Sequence, residues 1–293
     1  MIVRGTIHTK RNIMNIGIIG YGFVGKALTF GFEETHDIYI YDKYQDIGCD
    51  LDKVLKLSDV IFVCLPTPFN DETIHIDLSI YDEVIKELCS KVNNQIFVIK
   101  STVTPGTTKR YQDLYPNNHF AFNPEFLTEK HFRNDFINSS RIVLGGETEV
   151  VNKIEELYRQ NPHFAKTPIV KMSVTEAEIV KYQANITLAT RVAVANVFYD
   201  ICEAMGENYE NVQVGVSLDP RITASHLTVT EERGFGGKCF TKDLGAIIGQ
   251  ANDLGVDTQL LEEVYHYNDR IRKVKDWKDI PGATVGGKGY DKK

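Results

Sequence analysis

The run Gly234-Phe235-Gly236-Gly237-Lys238-Cys239-Phe240-Thr241-Lys242-Asp243 sets one cysteine between a glycine-rich loop and two lysines. Glycines let the backbone bend and come close to a ligand, and cations beside a thiol raise its thiolate fraction at neutral pH. That is how a nucleophile is prepared. The same ten residues equally describe a glycine turn followed by a half-buried structural cysteine. The four other cysteines, at 49, 64, 89 and 202, form no C-x-x-C pair with it or with each other. An odd, scattered set fits neither a disulfide framework nor a zinc site, so no metal is expected. Cys64, inside the apolar run Val60-Ile61-Phe62-Val63-Cys64-Leu65, reads as structural.

A second motif bears on the choice. Ile16-Gly17-Ile18-Ile19 feeds Gly20-Tyr21-Gly22-Phe23-Val24-Gly25 and then the helix-like Lys26-Ala27-Leu28-Thr29-Phe30. G-x-G-x-x-G between a strand and a helix sets a diphosphate against backbone N–H groups at the helix N-terminus. The next strand-like run, Ile38-Tyr39-Ile40-Tyr41, ends at Asp42. That is about 20 residues past the first glycine, where a carboxylate accepts ribose hydroxyls. Its charge would repel a 2′-phosphate, so the spacing predicts NAD rather than NADP. The competing reading is a nucleotide-free glycine turn with a surface aspartate.

These residues need a frame. Seven strand-like apolar runs, at 15–19, 38–41, 60–65, 96–100, 119–122, 141–144 and 168–171, alternate with amphipathic segments. Near-continuously apolar strands separated by helices predict a doubly wound parallel sheet over residues 1–172, an α/β Rossmann-like domain. At Thr175-Glu176-Ala177-Glu178 a capping box is expected to open a helix that runs to about Met205, where Gly206 stops it. Such a spine, about 45 Å long at 1.5 Å per residue, suits the joining of domains or subunits. Shorter helices are expected near 207–217, 243–254 and 257–273, with the Cys239 loop between them. Residues 173–275 would form a small helical domain, and 276–293 a frayed tail.

Composition limits the partners. The 293 residues are 42% hydrophobic and 25% charged with a net charge of −7 and no basic cluster, which argues against nucleic acid. No apolar run approaches the roughly 20 residues that span a bilayer. Met1–Ile13 is polar and basic without a hydrophobic core, so it does not read as a signal peptide, and the protein is expected in the cytoplasm. The folded part is expected to begin at about Met14.

At this point the chain resembles the nucleotide-sugar dehydrogenases, the UDP-glucose/GDP-mannose dehydrogenase family, over about residues 14–275. The motifs fall in family order: GYGFVG at 20–25, VCLPTP at 63–68, KSTVTPGTT at 100–108, NPEFLTE at 123–129, RIVLGG at 141–146, the helix 176–196, DPRI at 219–222, and GFGGKCFTKD at 234–243. The resemblance implies four-electron oxidation of a sugar C6 alcohol to a carboxylate with two NAD, through a thioester on Cys239. Lys181 and Asn185, four apart and so on one helix face, would stabilise the oxyanion. Read singly, Lys181 is a solvated lysine paired with Glu178 or Glu176, and Asn185 a polar packing residue. Glu125 would be the base for thioester hydrolysis, with Thr102 and Asp243 ordering the water; each of these also reads as a loop-capping polar group. The resemblance adds Thr67, Ser101 and Glu129 to the NAD contacts, with Phe23 and Val24 in the glycine turn. It assigns Phe126, Leu127, Phe235, Gly236 and Arg221 to the substrate, Arg221 reaching a diphosphate across a subunit interface. A homo-oligomer built on helix 175–205 is implied.

Thr241 and Thr104 stand where the family has prolines, both in loops. The family also carries a further domain that binds the uridine half of the substrate, and the 293 residues end before it. The motifs lean toward UDP-glucose, with GDP-mannose the rival within the class. A non-catalytic NAD-binding or subunit-pairing protein is the alternative outside it.

Overall fold

The structure, a computed structural model, describes residues 13–280 and 283–285. The start of the chain, the end of the expected tail and the side chain of Lys238 lie outside the described residues. The chain divides into two compact units. The first takes in residues up to Leu65, Val84–Ser101 and Gly106–Ala177; the second takes in Pro66–Glu83, Thr102–Pro105 and everything from Glu178.

Nine strands form among the described residues, β1 (Ile16–Ile19), β2 (Ile38–Tyr41), β3 (Val60–Val63), β4 (Phe69–Asn70), β5 (His75–Ile76), β6 (Ile96–Ile99), β7 (His119–Phe122), β8 (Ile142–Gly145) and β9 (Ile169–Met172). Each of the seven expected runs is a strand of one sheet, ordered β2-β1-β3-β6-β7-β8-β9. All its pairings are parallel except β7 with β8. The helices of this unit are α1 (Phe23–Phe32), α2 (Leu51–Leu57), α3 (Ser79–Lys91, which begins in the second unit), α4 (Thr107–Leu114), α5 (Phe132–Ile137) and α6 (Thr148–Arg159).

Strand periodicity explains the double layer. Ile16, Ile18, Val60, Phe62, Val98, Ala121 and Leu144 pack one sheet face against Leu28 and Phe32 of α1, Phe136 of α5 and Ile154 and Leu157 of α6. Residues one position along point the other way. There Phe120 meets both Phe97 and Tyr111 of α4, and Gly17 lies against Val54 of α2. Strand order reverses between β1 and β3, and in such sheets the crevice at that reversal is where ligands bind.

The second unit is built on α7 (Val174–Met205), with α8 (Tyr209–Ser217), α9 (Gly237–Asp253), α10 (Gln259–Ile271) and the β4–β5 hairpin. Its core joins Ala189, Val192 and Ala193 of α7 to Leu244 and Ile248 of α9 and Val264 of α10. The hairpin's Phe69 and Ile76 pack on Tyr182 and Ala246, and Gln250 donates to Pro105 O at 2.7 Å. These contacts explain why residues 66–83 and 102–105 belong here rather than with their sequence neighbours.

Three local expectations need correction. The reciprocal cap of α7 is made by Ser173 and Glu176, not Thr175 and Glu178: Ser173 N donates to Glu176 Oε2 at 2.7 Å and Glu176 N to Ser173 Oγ at 3.2 Å. The same S-x-x-E spacing occurs two residues earlier, and it leaves Glu178 fully buried. The Cys239 segment is not a loop between helices, because α9 already starts at Gly237. Residues 276–280 and 283–285 do not fray: Trp277 is buried, and the backbones of Ala283 and Val285 bond to Phe69 at 2.9 and 2.8 Å.

Candidate active site

In the first unit the glycine turn sits at the end of β1. Gly20 has φ +91°, and a Cβ there would fall 2.4 Å from Cys64 O, so only glycine lets the ends of β1 and β3 lie this close. A Cβ on Gly25 would meet Gly20 O at 2.3 Å, whereas one on Gly22 would meet nothing within 4 Å. Gly22 is the N-cap of α1, and Phe23 and Val24 begin the helix. First-turn N–H groups have no intrahelical acceptor, so this open side fits a diphosphate. Asp42, just past β2, is brought to the turn by accepting Tyr21 N on Oδ2 at 2.7 Å.

At the carboxyl end of β7, buried Asn123 donates to Val143 O at 2.8 Å and accepts from Tyr158 Oη at 2.6 Å. That fixes the exit of the strand. Glu125 follows, 6% exposed, with Oε2 accepting Leu127 N at 2.7 Å. The Arg141 guanidinium lies 4.1 Å over the Phe126 ring, and Lys100, Glu125, Phe126, Leu127 and Arg141 line one small pocket. Ser101 Oγ donates to Leu65 O at 2.6 Å. Glu129 is exposed just beyond. Burial pushes the Cys64 thiol up to about 12, the nearby Lys100 charge opposing this and Glu125 adding to it. Burial likewise pushes Cys89 up to about 11. Both are prepared as inert side chains.

In the second unit α7 and α9 each contribute one face. Glu178, Lys181, Tyr182 and Asn185 lie three or four apart on α7, and all are buried, at 0%, 3%, 1% and 7% exposure. The solvated-lysine reading of Lys181 therefore does not apply. Glu176, the other acid weighed as its partner, is spent on the helix cap. Asn185 Nδ2 donates to Asp243 Oδ2 at 2.6 Å, joining the two helices. Asp243 lies four residues after Cys239 on α9, which puts their Cβ atoms about 5–6 Å apart. Cys239 is half-buried in the first turn of α9, where the aligned peptide dipoles favour negative charge.

Lys242 Nζ reaches Thr67 Oγ1 at 3.2 Å and lies 3.9 Å from Asp243 Oδ1. Thr67 and Thr102 are both buried. Phe235 is pinned by Asn268, which accepts its N–H at 2.7 Å and donates to its carbonyl at 3.0 Å. A Cβ on Gly236 would meet Asp276 Oδ1 at 2.3 Å. Asp276 accepts Gly237 N on both oxygens at 3.2 Å, so it supports the start of α9; nothing in its local sequence marks it for that. Arg221 stands apart with its side chain 86% exposed, held by Asp219 at 2.6 Å.

Sequence reading placed Glu178 at the surface and passed over Tyr182, yet both are buried beside Lys181 and Asn185 on α7. The signal for both was the spacing they share with Lys181 and Asn185. Burial first, then the charges of Asp243 and Glu178, raise the Tyr182 phenol well above its ordinary value.

Comparison with known proteins shows the family. The NAD binding domain of the UDP-glucose/GDP-mannose dehydrogenase family matches residues 43–161, and its central domain matches 175–270. UDP-glucose 6-dehydrogenase AglM of Haloferax volcanii is 31% identical over 306 aligned positions, covering 87% of this chain and 70% of that protein. UDP-glucose 6-dehydrogenase TuaD of Bacillus subtilis is 33% identical over 83% of this chain, and the chain spans 53% of its length. The fold matches a UDP-glucose dehydrogenase from Pyrobaculum islandicum with TM-score 0.81 at 24% identity, over 91% of this chain and 70% of that one. It also matches a 3-hydroxyisobutyrate dehydrogenase of Mycobacterium tuberculosis, TM-score 0.67 at 13% identity, over 88% of this chain and 94% of that one. With both parts of the chain matched by models of one family, and a relative of 31% identity covered over 70% of its length, the protein belongs to the UDP-glucose/GDP-mannose dehydrogenase family.

Proposed function

We propose that the protein oxidises the C6 alcohol of a nucleotide sugar, UDP-glucose, to the carboxylate through a thioester on Cys239. The observation that carries this reading is the placement of Cys239 one turn before Asp243, with Asp243 bonded to Asn185 and Lys181 on the same buried face of α7. Names of the relatives favour UDP-glucose over GDP-mannose.

NAD would be held by Gly20, Gly22, Gly25 and Asp42, with Thr67, Ser101 and Glu129 as further contacts, and would supply the hydride acceptor for each of two oxidations. The alcohol loses a proton and a hydride to become an aldehyde. The Cys239 thiolate adds to the aldehyde carbon, and the C=O pair moves to oxygen. Lys181 and Asn185 stabilise that oxyanion, and a buried ammonium does so more strongly than a solvated one. Loss of the second hydride re-forms the C=O bond and leaves a thioester. Water attacks it, the C–S bond breaks, and Cys239 leaves as thiolate. Glu125 takes the proton of the attacking water, with Thr102 and Asp243 ordering it. Phe126, Leu127, Phe235 and Gly236 would border the sugar nucleotide.

The α7 stripe of Val194, Val197, Phe198, Ile201 and Met205 is 42–72% exposed, an apolar patch that suits a second copy of the chain. In that homo-oligomer Arg221 would serve the neighbouring copy. Ile186 and Val192 of the same helix pack within the unit. No helix among the described residues is long and apolar enough to cross a membrane.

The test is NADH formation with UDP-glucose, GDP-mannose and UDP-N-acetylhexosamines in parallel. Two NADH per acid formed from UDP-glucose is expected. NAD binding without NADH from any of these sugars would replace this reading with the non-catalytic one.

A further inference from the structure

The Asp42 carboxylate is already engaged by four hydrogen bonds. Oδ1 accepts Tyr44 N at 2.9 Å and Gln45 N at 3.1 Å, and Oδ2 accepts Tyr21 N at 2.7 Å and Gln45 Nε2 at 3.1 Å. A carboxylate presents about four lone-pair sites. Three of the four donors are backbone groups, fixed by the glycine turn and by the bend after β2. The fourth is the carboxamide of an exposed side chain, which also donates to Tyr21 O at 3.2 Å. A ribose hydroxyl that donates to Asp42 therefore needs the site Gln45 holds.

We propose that the Gln45 carboxamide stands in for a ribose hydroxyl on Asp42 and must leave for NAD to bind, so that Gln45 sets the affinity of the dinucleotide site. The inference rests on the assignment of Asp42 to the NAD ribose and is independent of the dehydrogenase chemistry. Gln45 is well suited to the part. It is neutral, so it satisfies the carboxylate without cancelling the negative charge that repels a 2′-phosphate. Held by two hydrogen bonds at the surface, it is displaceable, whereas a buried partner would not be. The cost of releasing it is subtracted from every binding event, because these bonds are broken before the ribose makes its own.

The test is calorimetric titration of the purified full chain with NAD, which reads binding whether or not any sugar is oxidised. Gln45→Ala and Gln45→Met both remove the competing donor, the second keeping the side chain's length. Each should bind NAD about threefold to tenfold more tightly than the wild type. In an Asp42→Ala background the Gln45→Ala change should leave NAD affinity unaltered, because the shared acceptor is gone. Unchanged or weaker binding by both Gln45 variants overturns the proposal, as does the same gain in the Asp42→Ala background. If Asp42→Ala alone leaves NAD affinity and its preference over NADP intact, it is the ribose assignment that fails.

Discussion

The Asn185–Asp243 hydrogen bond joins α7 to α9, and cutting it should be costly. Asn185→Leu removes a donor 2.6 Å from Asp243 Oδ2, where Asn185 is 7% and Asp243 0% exposed. A hydrogen bond to a charged group nets about 1.5–3 kcal/mol, and leaving that group short of a donor adds part of its desolvation penalty. The expected loss for Asn185→Leu is about 2–4 kcal/mol of stability in the second unit. Asp243→Leu loses the same bond and also changes the setting of Lys242, 3.9 Å away, so its cost should be at least as large. In the double variant the shared bond is counted once, which predicts a coupling of about 1.5–3 kcal/mol. Trp277, the single tryptophan, is buried in the second unit and gives a local signal for urea unfolding. If Asn185→Leu costs under about 0.5 kcal/mol, or the two changes add within about 0.5 kcal/mol, the two helices are not held together by this pair and the reasoning fails.

Other perturbations have defined outcomes. Asp42→Ala should weaken NAD by about tenfold, the loss of a charge-assisted contact, and narrow its advantage over NADP in a binding titration. His75 Nε2 donates to Asp253 Oδ2 at 2.8 Å, and this bond, with that to Thr73 O, raises the imidazole above its ordinary value. The pair's contribution is then complete below that ordinary value and lost as pH rises through the raised one. With side chains 35% and 67% exposed, Asp253→Asn should cost about 0.2–1 kcal/mol at pH 5.5 and nothing at pH 9, by urea melts at both. Phe198→Glu puts a charge in the middle of the exposed α7 stripe, and light scattering should show an oligomer in the wild type reduced to monomer in the variant. An unaltered oligomer would move the interface elsewhere.

The sheet was legible because a parallel sheet buries both faces of its strands, so each strand is an unbroken apolar run such as Val60–Val63. The nucleotide turn was legible because its glycines answer to backbone sterics that are local: Gly20 against Cys64 O and Gly25 against Gly20 O. What escaped depended on partners far along the chain. Gly236-Gly237 reads as a loop, yet a helix begins there, with Asp276 supplying acceptors to Gly237 N from 39 residues away. Glu178 reads as a surface partner for Lys181, and only the packing of α7 in the second unit takes it out of solvent. The hairpin at 69–76 sits in sequence among strands of the sheet, and its membership in the second unit follows from Phe69 and Ile76 meeting Tyr182 and Ala246. Gln45 next to Asp42 carried no signal until its carboxamide was seen on the carboxylate.

Whether Cys239 forms the covalent link is tested most directly by the rate of acid release from UDP-glucose by Cys239→Ser beside the wild type, with NAD affinity measured on both. Serine keeps the shape of the first turn of α9 but is a poorer nucleophile, and its ester hydrolyses more slowly than a thioester. The expected result is equal NAD affinity and no steady release of acid by the variant. Acid released by Cys239→Ser at the wild-type rate would contradict a thioester on this residue.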